Sequence, residues 1–161
     1  MHDLPHNRFP ARAWHAALKR KRDCIIDTDC VWRETGAGLV FNEVNAAGLS
    51  TIDDFTSADL YESDRADGRR YEVETASLMD LLERHAAPNV IDYLLIDTEG
   101  SEPDILAAFD FSAYDIRLIA CEHNHTPKRN VLYSLLTENG FVRVMEQVSQ
   151  FDDWYVEPPR A

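Results

Sequence analysis

The chain has 161 residues, 45 % hydrophobic and 28 % charged, the make-up of a globular protein with one domain and a core. Its formal net charge of −13 repels phosphates and anionic lipid, which argues against nucleic-acid and membrane partners. No basic and then apolar leader follows Met1, and no apolar run reaches the roughly 20 residues of a membrane span. Three cysteines without CxxC spacing, Cys24, Cys30 and Cys121, read as reduced core thiols of a cytoplasmic protein.

Residues 1–9 read as disordered or poorly packed, and 10–161 as one domain. Residues 10–22 predict a helix with Trp14, Ala17 and Leu18 on one stripe, closed by four cations that favour its macrodipole. β-like segments at 24–26 and 30–32, a turn at 35–38 and a strand at 39–44 follow. Residues 45–68 form a polar, acidic excursion of a length that suggests a functional or mobile loop. Residues 71–75 alternate as a strand. Ser77 and Asp80 have capping-box spacing, opening a helix with Leu78, Leu81 and Leu82 inward.

The second half alternates. A strand at 93–96 precedes a helix with Ser101 as N-cap and Ile105, Leu106 and Phe109 inward. A strand at 116–121 precedes a helix started by Thr126-Pro127, with Val131, Leu132, Leu135 and Leu136 inward, and stopped by Gly140 as a left-handed cap. Strands at 141–145 and 154–156 are close enough to pair antiparallel. This order predicts an α/β layer.

The chemistry gathers at two strand ends. Asp97 and Glu99 follow one strand, and Glu122, His123, Asn124 and His125 follow the next. Strands joined by a helical crossover point their carboxyl ends to one rim, where α/β proteins bind ligands. Three readings fit these residue types: general acid/base catalysis, a divalent-metal site, or capping and ion pairing. Asp92, Asp152 and Asp153 read as turn or cap residues, and Gly36-x-Gly38 lacks the third glycine of a dinucleotide fingerprint.

The run Ile91-Asp92-Tyr93-Leu94-Leu95-Ile96-Asp97-Thr98-Glu99-Gly100-Ser101-Glu102, with Ile105-Leu106 and Phe109-Asp110-Phe111 behind it, resembles the FkbM family of S-adenosylmethionine-dependent methyltransferases. Leu49-Ser50-Thr51-Ile52, Val73-Glu74-Thr75, Cys121-Glu122-His123-Asn124, Asn139-Gly140-Phe141 and Asp152-Asp153-Trp154-Tyr155-Val156 extend the resemblance over about residues 10–157. It implies a partial Rossmann-like class I methyltransferase fold, a mostly parallel sheet with an antiparallel C-terminal hairpin. It also implies S-adenosyl-L-methionine as cofactor and O-methylation of a small-molecule or sugar hydroxyl. The catalytic set would be Asp97, Glu99, Glu122 and His123: Asp97 or His123 as base, Glu99 as a substrate contact, Glu122 as an orienting partner.

One part of the family pattern is missing. Members carry a Glu-x-Gly-x-x-x-Gly turn and then an acid–proline pair that hold the cofactor. This chain has no such turn, and Phe9-Pro10 stands where the acid and proline belong. The comparison thus leaves the cofactor-binding residues unassigned. It implies a chain that enters the fold after its second strand, is inactive alone, and leaves a sheet edge free to pair with another chain. The alternatives are a non-catalytic binding module and a metal-dependent hydrolase.

Overall fold

The computed structural model describes residues 12–57 and 59–158; the expectation for residues 1–9 lies outside them. Helix α1 (Arg12–Lys21) leads into β1 (Cys30–Trp32) and β2 (Gly38–Glu43). Residues 24–26 form no strand. The 45–68 excursion is folded rather than open. It holds β3 (Thr51–Ile52), the single-turn helix α2 (Glu62–Arg65) and two 3-10 turns, Ala47–Leu49 and Asp53–Phe55. Strand β4 (Arg69–Ser77) then completes a four-stranded sheet in the order β1-β4-β2-β3. β4 runs antiparallel to β2 and parallel to β1. Cys30, Trp32, Phe41, Ala47 and Ile52 form its core.

Helix α3 (Leu78–Arg84) starts at Ser77, whose hydroxyl accepts the Asp80 N–H at 3.0 Å. The expected capping box closes indirectly: the Ser77 N–H donates to the Thr35 hydroxyl at 2.9 Å, and that hydroxyl donates to the Asp80 carboxylate. Next come β5 (Val90–Ile91), β6 (Leu94–Ile96), α4 (Glu102–Ala107), β7 (Asp115–Ile116), β8 (Leu118–Glu122), α5 (Lys128–Glu138), β9 (Val142–Val144) and β10 (Asp152–Val156). The strand expected at 116–121 is divided at Arg117, whose N–H still bonds Ile91 O at 2.9 Å. Before it β7 pairs with β5; after it β8 pairs with β6 and β10. Helix α5 ends as expected: the Gly140 N–H bonds Thr137 O and the Phe141 N–H bonds Leu136 O, both at 3.0 Å, with Gly140 at φ +90°.

The second sheet has the order β6-β8-β10-β9. β6 and β8 are parallel, and β10 is antiparallel to both β8 and β9. The antiparallel C-terminal hairpin is present. The pairings as a whole are mixed, and the mostly parallel sheet expected from the resemblance is not what the described strands form. The period-two alternation of strands explains the packing. Leu94, Ile96, Ile119, Cys121 and Tyr155 face one side and meet Leu78 of α3, Ile105 and Leu106 of α4, Phe109 just beyond it, and Leu132 and Leu136 of α5. Burying a leucine such as Leu136 fully contributes roughly 1.5–3 kcal/mol. Val131, expected inward, is exposed. On the other sheet face Tyr93 and Leu95 remain 52 % and 40 % exposed. Among the described residues no helix packs on that face as α4 and α5 pack on the first, and a cavity bordered by Tyr93 and Leu95 opens there.

Cys30 and Cys121 are buried, but Cys24 is exposed rather than a core thiol. Burial pushes the Cys30 thiol up to about 12. Among the described residues no helix is long and apolar enough to cross a membrane.

Candidate functional site

Glu102 organises the loop after β6. Its buried carboxylate accepts the Thr98 N–H at 2.8 Å, the Thr98 hydroxyl at 3.1 Å and the Gly100 N–H at 3.0 Å. Burial pushes its pKa up, against the pull of these bonds. Ser101 does not cap α4 through its side chain; its hydroxyl donates to Thr98 Oγ1 at 2.7 Å. The loop thereby curls so tightly that Glu99 and Gly100 sit at φ +60° and +118°. Lys128 Nζ of α5 donates to Gly100 O and lies 4.0 Å from the centre of the Phe55 ring. Burial lowers the Lys128 pKa.

The rim after β8 is built alike, with Asn124 and His125 at φ 44° and 55°. Left-handed non-glycine residues cost energy and concentrate at sites that need an exact presentation of side chains. Here both strand ends carry them.

The two rims bring Asp97, Glu99 and Glu122 together, with one oxygen of each within 4.8 Å of the others. Glu99 and Glu122 are buried and Asp97 is half-buried. All three border a cavity of about 310 Å³ on the uncovered sheet face, together with Leu49, Tyr61, Tyr93 and Trp154. Asn124, from the same rim, donates to Glu99 Oε2 at 3.3 Å.

His123, the other expected base, is placed elsewhere. It continues the Cys121 side of the strand and does not border the cavity. Its Nδ1 accepts the His125 N–H at 3.0 Å, and its Nε2 lies 3.8 Å from Asp153. Burial lowers its pKa, which favours the neutral ring. Asp153, expected in a turn, is a buried strand residue. Arg129 holds it through two bonds of 2.7 Å and Ser149 through one of 3.0 Å. This network ties α5 to the hairpin. His125 is exposed and packs edge-on against Phe151 at 5.4 Å. Asp92, at 2.5 Å from Arg117, is a surface ion pair.

Sequence reasoning missed the excursion's contribution. Arg65, fully buried at the end of α2, reaches Glu99 Oε2 at 2.6 Å and both Asp59 oxygens at 2.8 and 3.1 Å. Thr51 donates to Glu99 O at 2.9 Å. Asp59 is a local partner of Arg65, six positions away, but nothing in residues 59–65 marks the link to Glu99, 34 positions on. The three carboxylates have the spacing to share one divalent cation, and Glu99 shares the single positive charge of Arg65 with Asp59.

Carboxylates gathered beside a cavity at the ends of adjacent parallel strands mark a candidate ligand site in a mixed α/β chain. Comparison with known proteins narrows that class. The methyltransferase FkbM domain matches residues 9–155, and the chain belongs to the FkbM methyltransferase family. No curated protein and no solved structure gives a significant match.

Proposed function

We propose that this chain is an S-adenosyl-L-methionine-dependent O-methyltransferase domain acting on a small-molecule or sugar hydroxyl, its described residues forming the acceptor side of the site. The observation that carries this reading is the meeting of Asp97, Glu99 and Glu122 at the wall of one cavity in a chain of a methyltransferase family. Asp97, the least buried of the three, is the base that takes the hydroxyl proton. Glu122 orients the acceptor. Glu99, held by Arg65 and Asn124, is a fixed wall and not a mobile proton carrier.

The described residues do not fit the cofactor itself. A nucleotide-like group needs glycines that let backbone approach it. Added bulk at Gly68 would meet this chain's own Asn42, and at Gly100 its own Phe55 and Lys128. Gly36 and Gly38 are open but connect β1 to β2, not a strand to a helix. We therefore assign no cofactor contact and no step through it.

The test is titration calorimetry with S-adenosyl-L-methionine, paired with methyl transfer to a panel of glycosides. Saturable heat and a methylated product, lost by a factor of roughly 10²–10⁴ in Asp97→Asn, support the reading. A flat trace with no product overturns it.

A second reading has its own observation. β6 is an outer strand of its sheet, with Tyr93 and Leu95 exposed beside it. Such an edge accepts a strand from another chain, as a non-catalytic binding module would use it. Light scattering that shows only monomer at all concentrations, alone and with cell extract fractions, would remove it.

A further inference from the structure

We infer that Arg65 is the positioning residue of this site: it locks the 45–68 excursion onto the strand-end motif and aims the Glu99 carboxylate. Four bonds carry the inference. Arg65 Nε donates to Leu49 O at 2.7 Å, Nη1 to Asp59 Oδ1 at 2.8 Å, and Nη2 to Asp59 Oδ2 at 3.1 Å and to Glu99 Oε2 at 2.6 Å. Its guanidinium also lies 5.8 Å from the centre of the Tyr61 ring. Leu49, Tyr61 and Glu99 all border the cavity. One side chain therefore ties together two excursion residues and one motif residue of the same wall.

Stability alone is a weak reason to bury it. A buried ion pair regains little more than the desolvation of its charges, and apolar side chains of similar volume often serve as well. What a guanidinium adds is a planar fork of donors in fixed directions. Asp59 takes one side of that fork in a bidentate grip, so the remaining donor is aimed at Glu99. Glu99 in turn is held at a left-handed backbone position, φ +60°, so it cannot slide to follow a displaced partner.

The inference rests on the methyl-transfer reading for what turnover means, but one of its two tests does not. The first test is hydrogen exchange. Arg65→Lys keeps the charge and loses the fork; amides of residues 59–65 and 97–101 should both exchange at least about tenfold faster, since the lost charged hydrogen bonds are what hold the two segments closed against each other. Unchanged exchange in 97–101 would overturn the inference, whatever the enzyme does. If Arg65→Lys does not fold, Glu99→Gln carries the same measurement from the other side, with 59–65 as the reporter.

The second test is a double-mutant cycle in the methyl-transfer assay. Arg65→Lys should lower kcat about a hundredfold, the effect of a displacement near 1 Å, with little further loss when added to Glu99→Gln. An equally large loss in both backgrounds would make Arg65 merely structural. A wild-type chain that transfers no methyl group overturns the methyltransferase reading and leaves the exchange result to decide on Arg65.

Discussion

Replacing Glu102 tests how the motif loop is built. Its carboxylate is the acceptor for two backbone N–H groups and one hydroxyl, and it lies beneath a loop that presents Asp97 and Glu99 to the cavity. In Glu102→Ala those donors lose their partner in a site where Glu102 is only 2 % exposed. An unsatisfied buried donor costs about 1–3 kcal/mol, so two backbone groups give roughly 2–6 kcal/mol, a large share of a typical domain's stability. For a chain of this length that is a fall in Tm of roughly 4–24 °C.

Glu102→Gln keeps an oxygen in the same place and removes the charge. Burial raises the Glu102 pKa above its ordinary value, so the folded state holds this proton more tightly than the unfolded state. Stability from this group is complete below the ordinary carboxyl pKa and declines as pH rises towards the raised one. Glu102→Gln lacks that decline. It should match wild type in acid and equal or exceed it at neutral pH, while Glu102→Ala is lower throughout. The assay is urea unfolding followed by circular dichroism at several pH values. If Glu102→Ala lies within about 0.5 kcal/mol of wild type, the scale of an ordinary surface change, the loop is not held this way. A Glu102→Gln variant as unstable as Glu102→Ala in acid would refute the acceptor role as well.

Other expectations follow from the same geometry. Gly68→Ala would place its Cβ 1.7 Å from the Oδ1 of buried Asn42. Either the Asn42 side chain, held by Thr56 Oγ1 and Arg65 O, or the backbone must shift, and unfolding should show a loss of about 1–3 kcal/mol. Ser77→Ala removes the hydroxyl that caps α3 and should cost about 1 kcal/mol, or roughly 3 °C in a thermal melt. For Asp153, burial alone would raise the pKa, but the bonds from Arg129 and Ser149 hold it below the usual range. Its stabilisation is therefore present at neutral pH and lost as pH falls through the carboxylate range to the depressed value. Asp153→Asn should be about 1.5–3 kcal/mol less stable than wild type at pH 7, and the gap should close in acid unfolding curves.

What could be read from the sequence divides along the range of the interactions involved. The strand before Asp97, the inward faces of α4 and most of α5, and the Gly140 cap depend on periodicity and on partners a few residues apart, and their order was legible. So was the gathering of Asp97, Glu99 and Glu122, because a crossover helix between two strands sets which ends meet. His123 shows the limit of that rule. It shares the rim in sequence, yet strand alternation turns it to the Cys121 side, towards Asp153. From its place just before Trp154-Tyr155-Val156, Asp153 reads as a turn residue, whereas Arg129 and Arg143 from other elements make it a buried strand residue.

The excursion is the clearest case of the same limit. Its composition has the polarity of a loop, and composition does not report that one arginine in it finds a carboxylate 34 residues on. A buried charge is stable only with its partners, and the partner that Arg65 and Glu99 find in each other is not among the sequence neighbours of either. The half of the site that local pattern reveals is thus the acidic strand ends, and the half it hides is what fixes their direction. A substitution in residues 45–68 can for that reason alter the chemistry at Glu99 without touching the motif that identifies the family.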